Sequence, residues 1–275
     1  MSFTWYSEEM PDEPAIGIAG HARAVRRGLP LALLVTAALS ALLAARLAER
    51  VALRGARRLT PRIAKWSCRG ALWLLGIGHG REGRPAGPPA ALVANHSSWL
   101  DIFAINAADP VFFVSKAEVA SWPGIGPLAR AAGTLFIQRD RRQSQKQRDA
   151  MIERMRRGDR LLFFPEGTST DGRRVLPFRT TLFSAFFAPE LPDGFKVQPV
   201  TVRFTAPPGA DPRFYAWWGS MGFGQHLLKV LAAPGQGRVD VIYHEPHAPA
   251  DFADRKALAA GAEGIVRSGL DAEPS

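Results

Sequence analysis

The chain predicts an α/β domain: a mixed, largely buried sheet flanked by helices, preceded by an N-terminal membrane helix or helical hairpin. Two observations predict it. From residue 90 onward, apolar runs of strand length alternate with segments of helical length, the pattern of a sheet covered by helices. Before that, residues 28–45 carry no charge and are mostly Leu, Ala and Val.

The elements follow in order. Residues 1–27 form an N-terminal tail, with Glu8, Glu9, Asp12 and Glu13 near its start and Arg23, Arg26 and Arg27 at its end. A helix over 28–45 reaches about 27 Å at 1.5 Å per residue, close to the roughly 30 Å hydrocarbon core of a bilayer. A cleaved signal and a buried soluble helix are the other two readings. Against the signal, twenty residues precede the arginines, and Ala44-Ala45-Arg46 is a poor cleavage site. Arg46, Arg50, Arg54, Arg57 and Arg58 follow the run, so the positive-inside bias places the C-terminal domain in the cytoplasm. The membrane-associated segment extends over 28–80. Within it, 66–77 holds Trp66, Leu72, Trp73, Leu74, Leu75 and Ile77, broken by Arg69. It fits an interfacial helix and a helix packed on the domain equally.

The main domain is expected over 81–250. Its strands are read at 91–94, 111–115, 134–138, 161–164, 198–204 and 239–244, and its helices at 99–108, 126–132, 141–156 and 180–188. Residues 251–275 read as a fringe helix and a loose tail.

Bulk composition narrows the chemistry. With 35 basic and 25 acidic residues the net charge is +10, which favours an anionic partner: nucleic acid, a membrane surface or an anionic substrate. The basic run at 139–148 has no interleaved aromatics and no nucleic-acid motif accompanies it, so nucleic acid is set aside. Cys68 is the single cysteine, which excludes an internal disulfide and a cysteine-based zinc cluster.

The most informative stretch is His96-Ser97-Ser98-Trp99-Leu100-Asp101. On a continuous helix, residues five apart point about 140° away from each other. His96 and Asp101 therefore meet only if His96 sits in a strand-to-helix turn and Asp101 in the first helical turn, with Ser98 as N-cap. Asp101 then receives Nδ1–H and leaves Nε2 as a base. Taken alone, the stretch fits a capped helix and a turn histidine just as well. Gly133-Thr134-Leu135-Phe136-Ile137-Gln138-Arg139 places a guanidinium at the C-terminal end of a strand, where open α/β sheets bind ligands. Phe164-Pro165-Glu166-Gly167-Thr168 ends another strand in a carboxylate, a permissive glycine and a hydroxyl. Val197-Gln198-Pro199-Val200 opens a strand that frames the site from behind.

Together, Asn95-His96-x4-Asp101, Gly133-x-x-Phe136-Ile137-x-Arg139, Phe164-Pro165-Glu166-Gly167-Thr168 and Val197-x-Pro199-Val200 resemble the four ordered blocks of the glycerolipid acyltransferase family, whose archetype is lysophosphatidic acid acyltransferase. The resemblance covers residues 90–205 and implies an α/β acyltransferase domain held on the membrane by its apolar N-terminal section. It implies conversion of 1-acylglycerol-3-phosphate to phosphatidic acid in phospholipid biosynthesis. The lysolipid is the acceptor and an acyl carrier protein or coenzyme A thioester is the donor, with no resident cofactor and no metal. His96 would deprotonate the acceptor hydroxyl for direct attack on the thioester. Asp101 would orient His96. Arg139 would hold an anionic headgroup, and Glu166, Gly167 and Thr168 would shape acceptor binding. Amides at the start of the helix near Trp99 would serve the oxyanion. The location implied is the cytoplasmic face of the inner membrane.

One departure bears on the acceptor. The family commonly places Arg or Lys directly after Glu-Gly-Thr, where this chain has Ser169. With Ser115-Lys116-Ala117-Glu118-Val119 and Trp217-Trp218-Gly219, that change is similar to the lyso-ornithine lipid acyltransferase branch. Its amino-acid headgroup needs less phosphate-binding charge, and Arg173, Arg174 and Arg179 stand nearby. Two rivals remain: a serine hydrolase using Ser97 or Ser98, which lacks a Gly-x-Ser-x-Gly elbow, and an inactive membrane-anchored lipid-binding protein.

Overall fold

The structure, a computed structural model, describes residues 4–7, 10–11, 15–52, 57–122, 124–138 and 144–272. Its strands are β1 (Gly78–Glu82), β2 (Ala90–Ala94), β3 (Phe112–Lys116), β4 (Leu135–Ile137), β5 (Leu161–Phe163), β6 (Lys196–Thr205) and β7 (Arg238–Tyr243). Its helices are α1 (Ile18–Val51), α2 (Thr60–Leu75), α3 (Leu100–Ala108), α4 (Ile125–Ala132), α5 (Ser144–Arg156), α6 (Phe223–Ala232) and α7 (Arg255–Asp271). The strands form one sheet in the order β1-β7-β6-β2-β5-β3-β4. Only the β6–β7 pair is antiparallel, so the sheet is mixed.

Strand alternation sends side chains to two slabs of core. Leu92, Leu162, Val200, Val202, Val239 and Val241 pack on one face against α2, α3 and α6. Ala91, Val93, Leu161, Phe163 and Val197 pack on the other against α5, α7 and a 3-10 run, Leu182–Phe187. Every residue of β2 is buried, because β2 is an inner strand with helices on both faces. This makes β2 the rigid element from which the histidine turn emerges.

Several expectations shift. The edge strand β1 straddles the boundary drawn at 80/81; its Gly-His-Gly-Arg-Glu sequence has no apolar alternation because only its third residue is buried. The helix expected over 180–188 is a 3-10 run, stopped at Ala188 by Pro189. The helix expected within 251–275 forms as α7, but as a core layer rather than a fringe: it is capped by Asp254, which accepts from Lys256 N and Ala257 N. It buries Leu258, Ala259, Ala262 and Val266.

The N-terminal section is a helical hairpin. Helix α1 starts at Ile18, inside the tail expected over 1–27. It is the one helix among the described residues long and apolar enough to cross a membrane, with mean hydropathy 2.1 over its apolar window. Arg23 Nε donates to Ala232 O at 2.8 Å, and Arg27 Nη1 to Leu231 O and Ala233 O. These arginines thus satisfy the open carbonyls at the end of α6. The buried carboxylate of Glu49 accepts from Leu59 N, Thr60 N and Thr60 Oγ1, which closes the hairpin onto the start of α2. Helix α2 packs on the domain, one of the two readings of 66–77: Leu72 and Leu75 enter the core, whereas Trp66 and Trp73 face outward. Gly76, at φ 79°, ends α2 in the left-handed conformation.

Because Leu258 is buried in the core, Leu258→Ala will lower unfolding stability by about 2–5 kcal/mol, as measured by urea unfolding. A surface-tail position would change it little.

Candidate active site

The site is built at the C-terminal end of β2. Asn95 extends the ladder with its side chain: Nδ2 donates to Val202 O at 2.9 Å and Oδ1 accepts from Val202 N at 2.8 Å. The turn that follows is therefore tied to β6. His96 Nδ1 lies 2.7 Å from Asp101 Oδ2. The same carboxylate accepts from Ser97 N at 2.8 Å and Ser98 N at 3.0 Å, and Ser97 Oγ donates to its other oxygen at 3.3 Å. An acceptor already surrounded by donors makes Nδ1 the protonated nitrogen, so Nε2 carries the lone pair. No described residue hydrogen-bonds Nε2.

Ser98 performs half of the expected capping box. Asp101 accepts from the Ser98 amide, but Ser98 Oγ takes the Leu100 amide, and the cap falls at Trp99. The start of α3 is thus less open to an oxyanion than expected. Of the amides of residues 97–101, those of Ser97, Ser98, Leu100 and Asp101 have internal acceptors. Of these five, the Trp99 amide has no acceptor among the described residues.

The histidine is also held from outside its own turn. Phe164 stacks on its ring, centroids 4.1 Å apart and planes 13° from parallel. Thr170 N donates to His96 O at 2.9 Å, and Trp217 N to Ser97 O at 2.7 Å. These contacts fix the ring plane and the turn, and the sequence did not single out Phe164, Thr170 or Trp217 for this role.

Glu166 points into the protein. Its side chain is only 1% exposed. One carboxylate oxygen accepts from His96 N at 2.7 Å, the other from Leu176 N at 2.8 Å. It is a strut from the Glu-Gly-Thr turn to the histidine backbone. Burial pushes its carboxyl up to about 8, against the pull of the Leu176 and His96 amides. Gly167 supplies the positive φ of 72° that the turn needs. Thr168 is nearly buried; its Oγ1 accepts from Trp5 N at 3.2 Å and donates to Ser169 O at 3.3 Å. Arg139, the expected headgroup ligand, lies outside the described residues.

An aromatic wall flanks the turn. Trp99 Nε1 donates to His226 Nδ1 at 3.0 Å, and Trp99 meets Phe103 and Phe223 edge-on. Burial holds His226 down at about 3, so it stays neutral as the acceptor.

The fold and the paired histidine and aspartate define a class, and known proteins agree on it. Residues 78–203 match the family model described as Acyltransferase. The chain belongs to this family and is an acyltransferase. It is 49% identical to the lyso-ornithine lipid O-acyltransferase of Rhodobacter capsulatus, over 97% of this chain and 96% of that one. It is 42% identical to the 1-acyl-sn-glycerol-3-phosphate acyltransferase of Neisseria gonorrhoeae, over 50% of this chain and 53% of that one. The crystal structure of the 1-acyl-sn-glycerophosphate acyltransferase of Thermotoga maritima shares the fold, with a TM-score of 0.66 at 20% identity, covering 93% of this chain and 99% of that one.

The raised Glu166 carboxyl has a signed consequence. In the folded state it keeps a proton that the unfolded chain releases, so its contribution favours folding at low pH and is lost as pH rises from about 4.5 to about 8. Urea unfolding of the wild type should show that decline. Glu166→Gln, which cannot titrate, should lack it. Equal slopes for the two proteins would contradict a buried, proton-holding Glu166.

Proposed function

We propose that this acyltransferase moves a fatty acyl group from an acyl thioester to the free hydroxyl of a lysolipid, and that the acceptor is lyso-ornithine lipid. The observation that carries the reaction is the His96–Asp101 pair at 2.7 Å, with Nε2 open. Nε2 takes the proton of the acceptor hydroxyl as its oxygen attacks the thioester carbonyl. The C–S bond then breaks, and the departing thiolate receives that proton from the imidazolium. Asp101 stabilises the imidazolium during the interval. General-base help of this kind contributes about 10²- to 10⁴-fold.

The choice of acceptor rests on the likeness to the Rhodobacter lyso-ornithine lipid enzyme, which runs the length of both chains, and on Ser169 after Glu-Gly-Thr. The likeness to the Neisseria 1-acylglycerol-3-phosphate enzyme covers half of this chain, which makes lysophosphatidate the second reading. The donor is an acyl carrier protein or coenzyme A thioester. The hairpin of α1 and α2 enters the membrane by its exposed Leu29, Leu33, Leu43, Leu47, Trp66 and Trp73. The tryptophans sit at headgroup level, and the basic flanks of α1 keep the domain on the cytoplasmic face of the inner membrane.

The test is acyl transfer by the purified protein from both thioesters to a lysolipid panel. Lyso-ornithine lipid should be the preferred acceptor. His96→Ala should lower kcat by about 10²-fold or more. Asp101→Asn should also lower kcat, because an amide presents a donor as well as an acceptor to Nδ1. Undiminished turnover by His96→Ala would overturn the mechanism, and a preference for lysophosphatidate would overturn the acceptor.

A further inference from the structure

The N-terminal residues 4–7 lie across the turn that carries Thr168. Trp5 N donates to Thr168 Oγ1 at 3.2 Å, and its indole lies 6.3 Å from that of Trp218. Tyr6 packs so closely on Gly219 that a Cβ there would stand 3.0 Å from its ring. The Arg174 guanidinium lies over the Trp5 ring, 5.1 Å from its centroid. Arg174 also holds Asp171: Nε is 3.2 Å from Oδ1 and Nη2 is 3.0 Å from Oδ2. The backbone of Arg174 is linked to the catalytic turn, since Thr170 Oγ1 donates to Arg174 O at 3.3 Å and Thr170 N to His96 O at 2.9 Å.

The asymmetry of this pair is informative. The Asp171 side chain is 3% exposed, whereas that of Arg174 is 54% exposed. A surface ion pair made for stability alone contributes little. Here a buried carboxylate and an aromatic face hold one edge of a guanidinium and leave the rest of it open. A cation whose side chain is already oriented has less rotamer entropy to lose when an oxyanion arrives. It stands in the loop that begins at Glu166-Gly167-Thr168, where Ser169 and Thr170 supply no charge.

We propose that Arg174, positioned by Asp171 and by Trp5 of the N-terminal strap, binds the anionic group of the acceptor headgroup: the carboxylate of an amino-acid headgroup, or a phosphomonoester in its place. The proposal rests on the acyl-transfer reading above and adds the residue that sets acceptor affinity. Trp5 and Asp171 are positioning residues and touch no reacting atom.

The experiment is steady-state kinetics of the full chain in detergent micelles, with lyso-ornithine lipid and lysophosphatidate as acceptors in separate arms. Loss of a charge-assisted contact predicts that Arg174→Gln raises the acceptor KM about 10-fold or more, with the thioester KM within about twofold of wild type. Arg174→Lys should recover part of the loss. Trp5→Ala should raise the same KM less, and Trp5→Phe should restore it. The arm in which the KM rises identifies the carboxylate or the phosphate as the group bound. An unchanged acceptor KM in Arg174→Gln and Trp5→Ala overturns the proposal, as does an equal rise in both KM values, the sign of a purely structural role. The acyl-transfer reading fails separately, on undiminished turnover by His96→Ala.

Discussion

A single buried carboxylate, Asp101, has to satisfy four donors at once: the His96 ring, the Ser97 and Ser98 amides, and the Ser97 hydroxyl. The rest of the site depends on that constraint. Because the two amides and the ring converge on it, the turn between β2 and α3 has one shape and the imidazole one orientation. The ring then presents Nε2 outward, which base catalysis requires. The interaction is local in sequence, but it works only because β2 and α3 are both anchored in the core, where Ala94, Leu100 and Ala104 are fully buried.

The second layer of support comes from distant parts of the chain. Asn95 carries the β2–β6 ladder past the end of the strand, Glu166 grips the histidine amide, and Thr170 grips its carbonyl. Glu166 does so at a cost: burial opposes its charge, and two amides only partly offset it. A group with this environment in a cleft reads as a catalytic acid. Its two occupied oxygens assign it to holding the backbone instead. The site is thus a sheet edge at which three loops close around one imidazole.

The sheet was legible because its inner strands are continuous apolar runs, as at 90–94 and 161–163. The edge strand β1 was not, because an edge with one buried residue carries no period. Helix α6 is hard to see in the sequence for a related reason. Its apolar residues do recur at helical spacing, but over ten residues set among Gly222 and Gly224. The His96–Asp101 pairing was readable, since spacing and helix geometry leave one arrangement in which they meet. The direction of the Glu166 side chain was not, because sequence marks a carboxylate at a turn without saying which side of the turn is solvent. The contact of Trp5 with Thr168 spans more than half the chain, and no local pattern announces it.

The chemistry of the site requires that Asp101 fix His96 with the proton on Nδ1. The direct measurement is the ¹⁵N chemical shifts of the histidine ring nitrogens in labelled protein, with His96 assigned by its loss in His96→Ala. The expected result is a ring with its proton on Nδ1 and a bare Nε2, and a changed tautomer balance in Asp101→Asn. A His96 ring protonated at Nε2, or one unaffected by Asp101→Asn, would contradict it.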